Sequence, residues 1–399
     1  MVDRTNLWLV LAPLILTVVF AKFSIPALSS RGLGIALPLV LVITAVGLCR
    51  GRFEFHMGRL YWYLLLVVWT SASQLFGKPF SVTSLAFLVL VFFPYVLKVK
   101  SPARLGVGPV ESLSIPRIVA DAGFVLAIVG ILQYIVQFFW GAQTAFPIEH
   151  LLPKGVLIER FNYLNALYYG SDIYKSNGIF FLEPSFFSQF LAISLLIELC
   201  GAARLIRLAV HLAALAVTYS GTGLIVLAAG VLALVVIERK WAAMMAVCLL
   251  GLIVSEFRDE LGLSLFFTRS AEFSTTGTSG FERFVAWLYM IEDQVLTFPE
   301  LLWTGYGAGT FNSQQEIARY SVMESAFAKP LVEYGIPGVL LYFGFLIYCI
   351  VTGSSPTPVK AGFMVCLAMN GAYSESNTGL FLTLLLWPSA RRPPHCRGC

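Results

Sequence analysis

The sequence predicts an all-α polytopic membrane protein of about twelve spanning helices, a single integral membrane domain over residues 1–399. Three observations predict it. The chain is 58% hydrophobic and only 12% charged, with a mean hydropathy of +0.81, against roughly 45–50% and 25% in soluble proteins. Apolar runs of about 17–25 residues, the length that crosses a bilayer, recur along it. Lys and Arg alternate between the connections in the way that orients membrane helices.

The runs place helices near residues 6–28, 33–49, 60–76, 81–98, 118–140, 181–200, 204–219, 222–237, 241–255, 326–351, 360–371 and 378–389. The first, from Asn6, reads as a spanning helix and not a cleaved leader, because it is too long for a signal-peptide core. Pro13, Pro26 and Pro38 are tolerable kinks in such helices. With the N-terminus on the cytoplasmic side, 16 of the 27 Lys and Arg residues fall in cytoplasmic segments, while the short outward loops hold only Arg31 and Lys78. Both termini are then cytoplasmic. The net charge of +5 is spread over loops and gives no nucleic-acid footprint. Most of the seven cysteines lie in apolar runs and read as small buried hydrophobes. Cys396 and Cys399 stand alone in a Pro/Arg-rich tail, with no second pair to complete a metal site.

Two long segments fall on the outer side, 141–180 and 256–325, and the second carries ten of the 22 acidic residues. Long connections of this kind are uncommon unless they carry function. In the first, residues 155–170 show apolar side chains at 157, 161, 164 and 168, which predicts a short amphipathic helix at the interface. In the second, Ser279 followed by Glu282 reads as a capping box opening a helix over 279–294, with an apolar face at 281, 284, 285, 288, 291 and 295. Arg283 and Trp287 are neighbours on that helix. Arg283 close to a helix start suits a phosphate or pyrophosphate; an ordinary arginine paired with Glu282 or Glu292 is the plainer alternative.

WTGYGAGTF (303–311) reads as a tight turn, lacking the strand and lysine of a nucleotide site. ESAFAKPLVEYGIPG (324–338) opens the next span, with Glu324 at its outer end and Glu333 about two turns deeper, where it needs a partner. TYSGTG (218–223) is a short turn that predicts two adjacent antiparallel helices, with small residues allowing close approach. GIFFLEPSFFSQF (178–190) places Glu183 and Pro184 amid seven Phe, Leu or Ile residues. Pro184 suits a first helical turn. Glu183 then sits at the positive helix end, where it can orient an arginine or sugar hydroxyls, or simply cap the helix.

Taken in order, NGIFFLEPSFFS, TYSGTG, Ser279-Gly-x-x-Arg283-x-x-x-Trp287, the glycine turn at 305–309 and Leu331-x-Glu-x-Gly-x-x-Gly338 resemble the family of O-antigen polymerases and O-antigen ligases, the Wzy and WaaL families. The resemblance covers roughly residues 176–340; residues 1–140 match only in helix number and hydropathy. It implies a glycosyltransferase-C-like helical fold with a long periplasmic loop before the tenth helix. It implies transfer of glycans carried on undecaprenyl pyrophosphate at the periplasmic face, with no metal, nucleotide sugar or other cofactor. The implied partners are a lipid-linked oligosaccharide donor and acceptor, membrane lipid, a chain-length regulator and a flippase. Two departures mark this chain: Ser220-Gly221 stands where members carry Ser-Arg, and Glu324-Ser325 where ligases carry His-Asn. The second favours polymerase over ligase.

On this reading Arg283, Glu324 and Glu183 are the catalytic candidates. Arg283 meets the departing pyrophosphate, and one carboxylate acts as base or hydroxyl orienter. Arg269, Arg160, Arg319, Trp287, Ser220 and Thr222 are candidates to hold pyrophosphate or sugar. A ligase, and a non-enzymatic polysaccharide or lipid transporter, are the rival readings; the lack of an inverted repeat weighs against the transporter.

Overall fold

The computed structural model describes residues 4–25, 33–76, 80–100, 115–159, 161–168, 170–201, 204–239, 274–373 and 378–388, with five isolated positions between 241 and 256. The described residues are mostly helical, 70% helix and 4% strand. We label the principal elements α1 (Arg4–Val19), α2 (Ala36–Cys49), β1 (Phe53–Phe55), α3 (Met57–Ala72), α4 (Val82–Phe92), β2 (Leu97–Val99), α5 (Ile115–Ala145), α6 (Pro184–Cys200), α7 (Leu205–Thr218), α8 (Gly221–Val236), α9 (Ser279–Phe284), α10 (Ala286–Met290), α11 (Ala328–Val351), α12 (Thr357–Met369) and α13 (Thr378–Phe381). Two helical stretches among the described residues, Ile115–Leu151 and Ala328–Val351, are long and apolar enough to cross a membrane; seven more apolar helices are shorter. The stretch expected to be helical over 241–255 lies outside the described residues apart from isolated positions.

α6 is the axis of the bundle. All but three of its residues are buried, and it packs against α5, α7, α8 and α12. Its apolar side chains point in every direction, the pattern of a helix with no exposed face. The TYSGTG turn forms as expected, Tyr219 being left-handed (φ 45°) before Ser220 caps α8. The helices it joins pack on α6 and hardly touch one another, contrary to the adjacency that the short turn predicts. The close approach that its small residues permit is also to α6: a Cβ on Gly223 would meet Ser188 at 2.6 Å.

Three further expectations are corrected. α1 ends at Val19, not near residue 28. Beyond it, Phe23 bridges to Leu157 and Ser24 to Gly34, so the chain leaves the helix to pair with other segments. Among the described residues of 155–170 the expected amphipathic helix does not form. After a short turn at Lys154–Val156, the backbone bonds outward: Ile158 N–H to Lys22 O, Leu167 N–H to Ile173 O and Lys175 N–H to Asn165 O. Third, the helix at 279–294 is broken. Thr278, not Ser279, is its cap, its hydroxyl accepting from Phe281 N–H at 3.4 Å. The backbone leaves helical geometry at Val285 (φ −120°, ψ −46°), and Ile291–Val295 continues as a π turn. The break rotates the buried face to Phe281, Ala286, Met290 and Val295, leaving Leu288 exposed.

α11 is interrupted too. Gly335 adopts φ 71°, ψ −173° inside it, separating a short leg, 328–334, from the long run that follows. The glycine turn fills the break. Tyr306 N–H donates to Val332 O at 2.7 Å and Gly307 N–H to Glu333 O at 3.1 Å. Trp69 Nε1–H donates to Tyr334 O at 3.0 Å. Carbonyls freed by the interruption are thus met by other segments, as buried backbone requires. The contact is too close for side chains: a Cβ on Gly305 would lie 2.4 Å from Glu333 C, and one on Gly335 would lie 2.5 Å from Trp303 C.

Candidate functional site

Two polar clusters lie where the ends of α6, α8, α11 and α12 meet. The first surrounds the start of α6. Pro184 is the first helical residue, as expected, and Glu183 precedes it in extended conformation. The Glu183 carboxylate makes no capping bond. It accepts from Ser185 Oγ at 3.2 Å and from Asn162 N–H at 3.4 Å. Ser185 O accepts from Thr222 Oγ1 at 3.3 Å and Ser188 Oγ at 2.8 Å. Thr222 Oγ1 also lies 2.9 Å from Ser220 Oγ and 3.1 Å from Ser188 Oγ. The structure therefore joins three sequence candidates, Glu183, Ser220 and Thr222, in one hydrogen-bonded group.

A buried ion pair braces the loop leading to α6. Lys22, fully buried, donates to Glu149 Oε1 and to Ile179 O. Asn177 Nδ2 donates to Glu149 Oε1 and to Tyr163 O, each at 3.2 Å. Gln133 Oε1 accepts from Ser176 Oγ and Asn177 N–H. Burial pushes the Lys22 ammonium down to about 8, and Glu149 pulls it the other way. These contacts hold Gly178 and Ile179 in left-handed backbone (φ 63° and 66°), a conformation a β-branched residue adopts only when its surroundings impose it.

The second cluster sits around the short leg of α11. Glu324 pairs with Lys329 at 3.0 Å, and Lys329 Nζ lies 5.4 Å from the Tyr373 ring. Gly371 lies against Glu324: a Cβ there would be 3.5 Å from Glu324 Cβ. Next to it, Asn370 exchanges two hydrogen bonds with Gln189 of α6, at 2.9 and 3.0 Å. Asn370, Gly371 and Tyr373 line a small cavity of about 30 Å³ with Phe92, Tyr95 and Tyr342. Glu333, 1% exposed, receives the backbone N–H groups of Gly309 and Phe311. That supplies the partner its depth required.

The broken helix delivers Arg283 and Trp287 to this cluster. Met323 N–H donates to Glu282 O at 3.0 Å, which ties α9 to the segment entering α11. Half-buried Arg283 lies with Nη2 3.9 Å from Met323 Sδ and has no carboxylate partner among the described residues. Trp287 stacks on Phe327 with ring centroids 6.3 Å apart. The expected helix-start environment is corrected: α9 has six residues, and Arg283 lies in its last turn. Arg319 is paired with Asp293 and covers the Tyr289 ring at 5.6 Å, half exposed. Arg160 and Arg269 lie outside the described residues. Among the described residues no hydrogen bond or ion pair joins Glu183 to Arg283 or Glu324; the two clusters meet through Gln189 and Asn370.

Sequence reasoning missed Lys329, Asn370, Gln189 and Tyr373 as site residues. Only the Lys-Pro at the head of a greasy span gave a signal, a charge that needs a partner. Fold and site together define a helical protein, apolar enough in two helices to cross a membrane, with a carboxylate–cation cluster at the mouth of a broken helix. No family model, characterised protein or solved structure matches the chain.

Proposed function

We propose that the protein is a multi-pass inner-membrane enzyme that polymerises oligosaccharide repeats carried on undecaprenyl pyrophosphate into a surface polysaccharide. In this reading the chain crosses the membrane about twelve times in a glycosyltransferase-C-like arrangement. Both long segments face the periplasm and both termini the cytoplasm, following the basic residues. Donor and acceptor are lipid-linked glycans, with a chain-length regulator and a flippase as further partners.

One observation carries the proposal: Arg283 is half-buried, has no carboxylate partner among the described residues, and lies against Met323, the residue before Glu324 in the chain. A cation left without a counter-ion is ready for an anionic ligand. The leaving pyrophosphate arrives charged and gains charge as the glycosidic bond breaks, so fixed cations aimed at it lower the barrier. Arginine suits this, because its fork holds two oxygens and stays protonated. Lys329 supplies a second positive charge, and Glu324 beside it orients the acceptor hydroxyl. Trp287, stacked close by, offers an apolar face to a sugar ring.

The test is the surface-polysaccharide ladder in cells and the reaction of purified enzyme. Arg283→Ala should abolish polymerisation, a loss on the order of 100-fold or more. Arg283→Lys should leave a small residue of activity, and the wild type should work in excess EDTA. An Arg283→Ala strain with normal chain length and normal protein level overturns the role. A ladder that is absent altogether, with no single repeat attached, would point to a ligase instead.

A further inference from the structure

Among the described residues, three buried polar atoms in the second cluster have no partner in strict hydrogen-bond geometry: Glu333 Oε1, Tyr334 Oη and Tyr373 Oη. Buried polar groups are almost always paired, so each such atom calls for an explanation, and three in one neighbourhood call for a common one. They are in electrostatic reach of one another and of Lys329 and Glu324. Tyr334 Oη lies beside the Glu333 carboxylate and interacts with it, without meeting strict hydrogen-bond geometry. Tyr373 lines the cavity, whose volume of about 30 Å³ admits water and not a sugar. Tyr373 also has φ 61°, a strained backbone for a bulky residue. The fold spends strain and burial to keep a phenol and a carboxylate unsatisfied behind a water-sized space.

From this geometry we propose that Glu333 is the proton acceptor of the transfer reaction, reached from the acceptor hydroxyl through water in the cavity and the Tyr373 phenol. The inference rests on the glycan-transfer reading above. As the acceptor oxygen forms its bond to the anomeric carbon, the bond from that carbon to the pyrophosphate oxygen breaks. The electron pair leaves with the undecaprenyl pyrophosphate. The acceptor hydroxyl proton passes by way of cavity water to Tyr373, and Tyr373 gives its own proton to Glu333 Oε1 through a hydrogen bond that forms during the reaction and is not made in this structure. Glu324 is the poorer base of the two, because Lys329 neutralises it directly. Glu333 is held at its other side by the neutral N–H groups of Gly309 and Phe311. The charged and titratable groups facing it are Lys329 and Tyr334 from its own leg, Glu324 from the segment entering it and Tyr373 from the segment after α12; the glycine turn contributes backbone alone.

The experiment uses full-length purified protein in nanodiscs, with lipid-linked glycan extracted from a strain lacking the protein as the probe. Glu333→Gln keeps the size and the hydrogen bonds of the side chain but cannot accept the proton. We expect kcat to fall at least 100-fold near neutral pH, within the range for general-base contributions, with KM unchanged. The residual rate should climb about tenfold per pH unit as hydroxide takes over, and Glu333→Asp should recover part of the loss. Tyr373→Phe should lose at least tenfold with a melting temperature no lower than wild type, and it decides the matter if Glu333→Gln fails to fold. A wild-type rate and pH profile in Glu333→Gln, or a wild-type rate in Tyr373→Phe should the first variant not fold, overturns the proton route. If that occurs while Arg283→Ala is inactive, the glycan-transfer reading stands and this inference alone falls. If Arg283→Ala is active, the reading beneath both falls.

Discussion

The two polar clusters are built from similar materials and closed in opposite ways. Around the start of α6, every hydroxyl of Ser185, Ser188, Ser220 and Thr222 has a partner, and Glu183 accepts from Ser185 and Asn162. Around the short leg of α11, Glu333, Tyr334 and Tyr373 keep unpaired atoms, and Arg283 has no counter-ion among the described residues. A satisfied network has used its hydrogen-bonding capacity on the fold, and it fixes helices at low cost. An unsatisfied one costs stability, about 1–3 kcal/mol per buried orphan, and such a cost persists where a ligand or a reaction offsets it. On the proposed reading, the first cluster holds α6 against α8 and the second carries the chemistry.

The strongest way to break this contrast is to remove the brace beneath the second cluster. Gly335→Ala places a Cβ 2.5 Å from the backbone of Trp303 and forces an alanine to φ 71°. It should cost on the order of 3 kcal/mol, read as a lower melting temperature and lower yield in detergent. A wild-type melting curve would mean that the glycine turn does not hold the helix break. A finer comparison deletes one hydroxyl from each cluster. Thr222→Val strips partners from Ser188 and Ser220 and should destabilise by about 1–3 kcal/mol. Tyr373→Phe removes an orphan and should stabilise by about 1 kcal/mol while slowing the reaction. Equal signs in the two melting shifts would erase the distinction. The smallest effect belongs to Glu183→Gln. Its amide can still accept from Ser185 Oγ, so the change should cost roughly 1 kcal/mol or less and leave the ladder near normal length. Shortened polymer at unchanged protein level would move Glu183 from the closed cluster into the reaction.

Much of this was legible in the sequence. Apolar run length located most of the described helices, because a helix that buries an all-round greasy surface needs no finer pattern than hydropathy. Pro184 marked the start of α6, because proline lacks the N–H that a first turn leaves free anyway. The glycines at 305, 307 and 309 marked a turn, and all three take positive φ. Expectations failed where a periodic segment had somewhere better to bond. Residues 155–170 have helical spacing, yet their backbone groups pair with Lys22, Ile173 and neighbouring turns. The helix at 279–294 broke at Val285 so that Arg283 and Trp287 could lie along the segment entering α11.

By itself, the sequence determined that the chain is helical, where most of its helices lie, and that Glu183, Arg283, Glu324 and Glu333 are charges needing company. Those conclusions follow from local rules: hydropathy, the missing proline N–H, the permissive backbone of glycine and the cost of an unpaired carboxylate. Only the tertiary structure decided who keeps company with whom. Gln189 meets Asn370 across 181 positions of chain and Lys22 meets Glu149 across 127. No local pattern encodes such pairs, because they depend on which helices pack on α6. The same packing satisfies Ser188, Ser220 and Thr222 and leaves Glu333 and Tyr373 with unpaired oxygens. Satisfaction of a buried group is a property of its neighbours in space, and the sequence alone does not list them.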